Sequence, residues 1–477
     1  MGKYKYLANN IALFSISNFV SKILVFLLVP FYTNVLTTAE YGIADIFQVT
    51  LLLLVPALTI NMGEGALRFG IEKHDKRGSI LYTGLKFTLI ATSVVALICA
   101  IASFFVSLQN KWYLFLFVIL FLTNALYEFL ILYFQGCELV GIVVIGSILS
   151  TLTMIICNLI FLLKLKIGLN GYLFSQMIAF GVAVITMLAL RAVLVRKNDV
   201  ETGDFAKDKE IEKEMLDYGK PLILYSTGAW VNNAADRYLV SAICGTAVNG
   251  IYGVAYKIPA ILTVFQRIFA QAWQMSATKS YKEEKSEEFF TTMYTVYHAF
   301  MVLACSFLIV IVRVMATFLF RKEFFTAWEF VPPLLISVVF GAMTGFIGSI
   351  CLAYKDSKAM GIATGIGAAV NVILNLCLIP RYSAMGAAVA TAISYYLMYM
   401  LAFLKVRKYV KIRANFVRDY ISYVILIAQA IIVIIGLNKA FIINCALFIL
   451  IIVMYYKEAI EISKKLLNKL KKSEKAD

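Results

Sequence analysis

Charged side chains are scarce. They make up 15% of the 477 residues, where a soluble protein carries about 25%. Histidine is nearly absent: His74 lies in a charged loop and His298 in an apolar run. Neither has a HExxH or paired-carboxylate context, which excludes the common zinc-hydrolase patterns. None of the eight cysteines (Cys99, Cys137, Cys157, Cys244, Cys305, Cys351, Cys377, Cys445) belongs to a CxxC pair, so no zinc site or disulfide framework is indicated. No glycine-rich phosphate cradle is present, so ATP is not the direct energy source; no cofactor and no enzymatic activity are expected. The first apolar segment is too long for a cleavable signal and lacks a small-residue cleavage site, so none is expected.

What the chain has instead is hydrocarbon. It is 61% hydrophobic with a mean hydropathy of +0.84, and apolar runs of membrane length recur from end to end. These read as a polytopic, all-α membrane protein of about fourteen transmembrane helices. The runs are continuous rather than alternating, which argues against a β-barrel. The net charge of +16 suggests nucleic acid until its distribution is considered. Loops on one side, with the two ends of the chain, hold about fourfold more Lys and Arg than the opposite loops, which places both termini in the cytoplasm. No nucleic-acid partner is expected.

The expected organisation is an N-lobe of six spans (1–196), a cytoplasmic connector (197–218) forming a short amphipathic surface helix, a C-lobe of six spans (219–412), two further spans (413–456) and a basic cytoplasmic tail (457–477). The lobes look alike. Tyr41-Gly42-Ile43-Ala44 is echoed by Tyr252-Gly253-Val254-Ala255, and Asn158-Leu159 by Asn375-Leu376. Both matches fall at an offset of about 211 to 217 residues, which suggests two pseudo-symmetric lobes with substrate sites between them. The last two spans have no counterpart in either lobe.

Polar residues at membrane depth are costly and mark function. Pro221 to Trp273 holds the densest set: Trp230, Asn232, Asn233, Asp236 and Arg237 on one span, Lys257 and Arg267 on the next. Asn232 and Asp236 are four apart, as are Asn233 and Arg237, so they share a helix face. Lys257, Arg267 and Gln271 are placed near one face of the following helix. Asp236 lies roughly 22 Å along from Pro221, too deep to snorkel. A structural Asp236–Arg237 ion pair between helices is the competing explanation. Lys22 is similarly deep in the first span, roughly 20 Å from Asn9. Glu64 and Arg68 have ion-pair spacing at an inner gate. Glu128 is a candidate proton or cation site, while Lys86 and Arg313 are read as snorkelling.

Three stretches carry a family resemblance: Asn18 to Gly42, Asn233 to Ala255, and Asn371 to Tyr395. In this order and spacing the chain resembles the polysaccharide-type flippases of the multidrug/oligosaccharidyl-lipid/polysaccharide superfamily, the O-antigen (Wzx) group. The resemblance implies two lobes around a central cavity, open alternately to each face of the bacterial inner membrane. It implies an undecaprenyl-pyrophosphate-linked glycan as substrate, in a setting of membrane lipids with polysaccharide polymerase and chain-length proteins as partners. Lys22, Arg237 and Lys257 are then expected to meet the pyrophosphate, and Asn232, Asn233 and Trp230 the sugars. Asp236, Glu64, Arg68, Glu128 and Arg267 become candidates for coupling to a proton or sodium gradient, or for gating. A lipid II or teichoic-type flippase is an alternative within the superfamily. A multidrug or cation antiporter would want an acidic cavity, and a membrane glycan polymerase or ligase a large outward loop.

Overall fold

The structure, a computed structural model, describes residues 26–105, 107–196, 204–281, 286–354, 356–413 and 415–456. No strand occurs among them. The chain packs as two compact units, Met1–Ala234 and Ala235–Asp477. By length and apolarity, nine helices among the described residues can cross a membrane, or ten if one bent pair is a single span, and Ala440–Met454 is a shorter apolar helix. The expected count of about fourteen is larger, in part because the first span falls mostly outside the described residues.

Unit 1 holds α1 (Val29–Val35), α2 (Thr38–Leu58), α3 (Met62–Glu72), α4 (Arg77–Ser103), α5 (Leu108–Gly136), α6 (Val140–Asn158) and α7 (Gly168–Arg196). A capping box starts α2. Thr37 Oγ1 accepts from the Glu40 backbone N–H at 3.2 Å, and Glu40 Oε2 accepts from the Thr37 N–H at 2.9 Å, satisfying two donors that a helix start otherwise leaves open. The other Glu40 oxygen accepts from the Leu169 N–H at 3.1 Å, which ties the start of α7 to α2. The α2–α3 break is sharp: Ile60 and Asn61 both adopt left-handed backbone, with φ of 55° and 50°.

The connector differs from the surface helix expected of it. From Lys209 it is the first part of α8 (Lys209–Cys244), a single 36-residue helix. The physical reason is two apolar positions four apart. Ile211 and Met215 are fully buried in the unit 1 core with Met62, Ala66, Ile80 and Tyr133, so the amphipathic face lies on protein rather than lipid. Further along α8, Gly219 crosses the α2–α3 break closely; a Cβ there would sit 2.0 Å from the Ile60 carbonyl oxygen.

The acidic side of this segment meets the basic α3–α4 corner. Lys73 pairs with Glu214 at 2.6 Å, Lys76 with Asp208 at 3.2 Å and Glu210 at 3.0 Å, and Lys86 with Glu212 at 2.6 Å. Lys86 is therefore engaged rather than snorkelling. The expected Glu64–Arg68 pair is not formed: Arg68 pairs with Glu72 at 3.3 Å and lies over the Tyr218 ring at 4.8 Å.

Unit 2 contains the C-terminal part of α8, α9 (Thr246–Ala255), α10 (Pro259–Ser280), α11 (Ser286–Leu319), α12 (Val331–Ala353), α13 (Ser357–Val406), α14 (Phe416–Ile435) and α15 (Ala440–Met454). The span expected over 247–274 is two helices bent by 50°. Pro259 starts the second, and a proline has no N–H with which to continue the first. Lys257 thus lies in the break, not on the helical face with Arg267 on which the sequence reading placed it. α13 changes course at Ser383, whose φ of 53° and ψ of −143° are not helical. α12 is the centre of the unit, with 78% of its apolar window buried. Arg313, also read as snorkelling, lies over the Trp328 ring at 4.3 Å.

The Lys76 corner yields a pH expectation. Glu210, then Asp208, hold the Lys76 ammonium above its ordinary range. The Ile211 backbone N–H, then Lys76, hold the Asp208 carboxyl below its own. A lowered acid contributes fully above its unfolded pKa of about 4, and a raised base fully below about 10. Amide exchange in 209–216, corrected for its intrinsic pH dependence, is therefore expected to stay level from about pH 5 to 9 and to rise below about pH 4. A steady drift across neutral pH would contradict this pairing.

Candidate functional site

The most developed polar site belongs to unit 2 and is built on Asp236 of α8. The side chain is 3% exposed. An ionised carboxylate out of water is affordable only with hydrogen-bond donors, and the fold brings three to one oxygen. Asp236 Oδ2 accepts from the Tyr252 hydroxyl at 2.7 Å, the Tyr256 hydroxyl at 2.7 Å and Thr391 Oγ1 at 3.4 Å. Tyr252 comes from α9 and Tyr256 from the break that follows it. Thr391 comes from the part of α13 beyond Ser383.

Two asparagines extend the site. Asn371 Nδ2 donates to Thr391 Oγ1 at 3.4 Å, and Asn375 Nδ2 donates to Asn371 Oδ1 at 2.9 Å. They are four apart on the first part of α13, so both project from one face. Two acceptors are left over: Asp236 Oδ1 and Asn375 Oδ1 are buried without a hydrogen-bond partner among the described residues. The site offers one carboxylate, amide carbonyls and hydroxyls, and no sulfur or imidazole. Such hard oxygen donors suit a proton or a small hard cation.

The competing reading of Asp236 is as the ion partner of Arg237. Neighbouring residues on a helix diverge by about 100°. The Asp236 carboxylate is held by hydroxyls, while the Arg237 guanidinium lies over the Tyr256 ring at 4.4 Å, a cation–π contact. Tyr256 thus touches both charges.

The other predicted residues are placed as follows. Lys22 lies outside the described residues, as do the side chains of Asn232 and Asn233. Trp230 donates its indole N–H to the Val49 carbonyl at 2.6 Å. Lys257 is half-buried in the α9–α10 break, and Arg267 is exposed on α10. Glu64, Arg68 and Glu128 are exposed in unit 1. Tyr252, Tyr256, Asn371, Asn375 and Thr391 were not singled out as site residues. A signal existed: Tyr252 and Asn375 each fall within one of the two internal sequence matches.

Unit 1 shows what the first members of those matches do. Tyr41 and Asn158 are buried, and Asn158 Nδ2 donates to the Tyr32 hydroxyl at 2.7 Å. The position about 211 residues before Asp236 is Val25, so the carboxylate is not duplicated.

The fold defines a class, that of the multi-pass, all-α membrane proteins. Among solved structures the chain is similar to a lipid II flippase, MurJ, in an inward closed conformation, with a TM-score of 0.71, 16% identity, and 96% of this chain and 100% of that one covered. It is also similar to an inward-facing multidrug resistance MATE family transporter, with a TM-score of 0.67, 14% identity and coverage of 81% and 94%. A superfamily transporter from Pyrococcus furiosus, described as having a binding pocket of reverse polarity, matches with a TM-score of 0.55, 15% identity and coverage of 84% and 92%. Identities this low speak for the fold alone. No curated protein matches by sequence. Residues 7–274 match the family described as "Polysaccharide biosynthesis protein", more than half of the chain, and the chain belongs to that family.

Removing one phenol hydroxyl tests how the carboxylate is held. Tyr252→Phe or Tyr256→Phe is expected to cost about 1.5–3 kcal/mol, the range for hydrogen bonds to charged groups, read as a lower unfolding midpoint in detergent. Midpoints unchanged in both variants would show that the hydroxyls do not support Asp236.

Proposed function

We propose that the chain is a flippase that moves a polyprenyl-pyrophosphate-linked oligosaccharide, a surface-polysaccharide repeat unit of the O-antigen type, across the bacterial inner membrane. Membership of the polysaccharide biosynthesis family carries this reading, and a transporter fold without an enzyme motif supports it. The physical problem is the headgroup. A pyrophosphate cannot enter hydrocarbon unaided, and charge-assisted hydrogen bonds from cations at membrane depth offset its desolvation. In this reading Lys22, Arg237 and Lys257 meet the pyrophosphate. Asn232 and Asn233 bind sugar hydroxyls, and Trp230 offers a ring face to the sugar.

Asp236 is the coupling residue in the same reading. Its unfilled Oδ1 takes a proton or a sodium ion from the gradient, and alternating access follows from its being loaded on one side and emptied on the other. Glu64, Glu128, Arg68 and Arg267 stand as secondary gate or coupling candidates. The similarity in fold to the lipid II flippase, over 96% of this chain and 100% of that one, favours one second reading, in which the cargo is lipid II itself.

Arg237→Ala and Lys22→Ala are each expected to lower surface glycan at least about tenfold while the protein still reaches the membrane. Wild-type glycan in both would remove the cationic site. Depletion of the protein discriminates the cargoes: a lipid-linked repeat unit accumulates under the first reading and lipid II under the second. Asp236→Asn is expected to abolish the stimulation of flipping by an imposed gradient in proteoliposomes, and retained stimulation would dismiss it as the coupling residue.

A further inference from the structure

Each unit contains a late helix whose first turn is held by a residue of an earlier one. α8 begins at Lys209, and Glu212 lies in its first turn. Glu212 Oε1 accepts from Lys86 Nζ on α4 at 2.6 Å. α14 begins at Phe416, and Asp419 lies in its first turn. Asp419 Oδ1 is 3.5 Å from His298 Nδ1 on α11. Both members of the second pair follow those of the first by about 210 residues, close to the offset of the sequence matches. The parallel reaches the unused oxygens: Glu212 Oε2 and Asp419 Oδ2 are both buried without a hydrogen-bond partner among the described residues. The last two spans, read as having no counterpart, therefore open with one, since α14 stands to unit 2 as the start of α8 stands to unit 1.

The two copies differ in chemistry. The first is ionic and partly wet, with side chains 31% and 19% exposed, in a row with the Lys73 and Lys76 pairs. The second is sealed at 0% and 4% exposure. The Tyr455 hydroxyl donates to Asp419 Oδ1 at 3.1 Å and lies 3.1 Å from His298 Nδ1, while the Tyr423 hydroxyl lies 2.7 Å from His298 Nε2. Tyr455 has one proton. If it goes to Asp419, its oxygen accepts from Nδ1–H, and Nε2 accepts from Tyr423. A neutral imidazole thus satisfies every contact, with no charge on the ring. Arg418, with Nε 3.6 Å from Asp419 Oδ1, stands beside the acid. The Tyr294–Tyr399 hydroxyl pair at 2.7 Å completes the titratable groups packed around His298.

We propose that these are two copies of one latch, and that only the first is releasable. The ionic Lys86–Glu212 latch holds the inner end of α8 on unit 1 reversibly, while the hydrogen-bonded His298–Asp419 latch holds α14 on unit 2 permanently. Release frees the inner part of the same helix that carries Asp236. This is a switch within α8, and it does not depend on the identity of the cargo.

Hydrogen exchange on the purified full chain tests this. Raising NaCl from about 0.05 M to 0.5 M shortens the screening length severalfold and is expected to speed exchange in 209–220 at least about fivefold, leaving 416–424 within about twofold. Lys86→Glu is expected to reproduce the effect at low salt, and adding Glu212→Lys to restore protection. His298→Leu is expected to unprotect 416–424 at any salt concentration. Salt-independent protection of 209–220 in the unaltered protein would overturn the proposal without recourse to a variant. So would a double reversal no better than the single one, or a salt response in 416–424 equal to that in 209–220.

Discussion

A single carboxylate deep in unit 2 constrains most of what surrounds it. Asp236 cannot stay charged and buried without donors, and its three donors come from three places along the chain. Tyr252 requires α9 to end where it does. Tyr256 requires the chain to turn just beyond it. Thr391 and the asparagines require both parts of α13 to face the same point. The 50° bend and the Ser383 irregularity are thus the geometry by which separate segments reach one oxygen, with the other oxygen left open.

The two units repeat a scaffold without repeating its charge. Tyr41 and Asn158 are buried like Tyr252 and Asn375, yet the sequence position that matches Asp236 is a valine, Val25. A site that binds a proton or a cation needs only one acid, and a second would pay another desolvation cost. The repeat therefore supplies its architecture twice while the polar contents of the copies differ.

Much of the fold was legible in the sequence because hydrocarbon thickness leaves a length signature that needs no partner to interpret. The burial of Asp236 agrees with its place inside an apolar run of membrane length. What each polar group touches was not legible. Spacing allows Arg68 to pair with Glu64 or with Glu72, and the position of Tyr218 across the corner, which no local pattern encodes, favours the second. The charged start of α8 read as a surface helix because four acids dominate its composition, while Ile211 and Met215 decide where it packs. The tyrosines around Asp236 passed unnoticed because phenols are common in apolar runs. Only the three-dimensional convergence separates these from the many aromatics that simply fill the core.

His298 is sealed because α14 and the end of α15 lie over it. Without α14 and α15, the His298 imidazole would lose Tyr423 and Tyr455 and the Ser306 hydroxyl would lose Gln429, and acyl chains offer no hydrogen bonds in their place. The terminal hairpin is in this sense the lid of a polar seam, and any fusion, tag or trimming at that end has to leave its first turn intact for the domain beneath to stay folded.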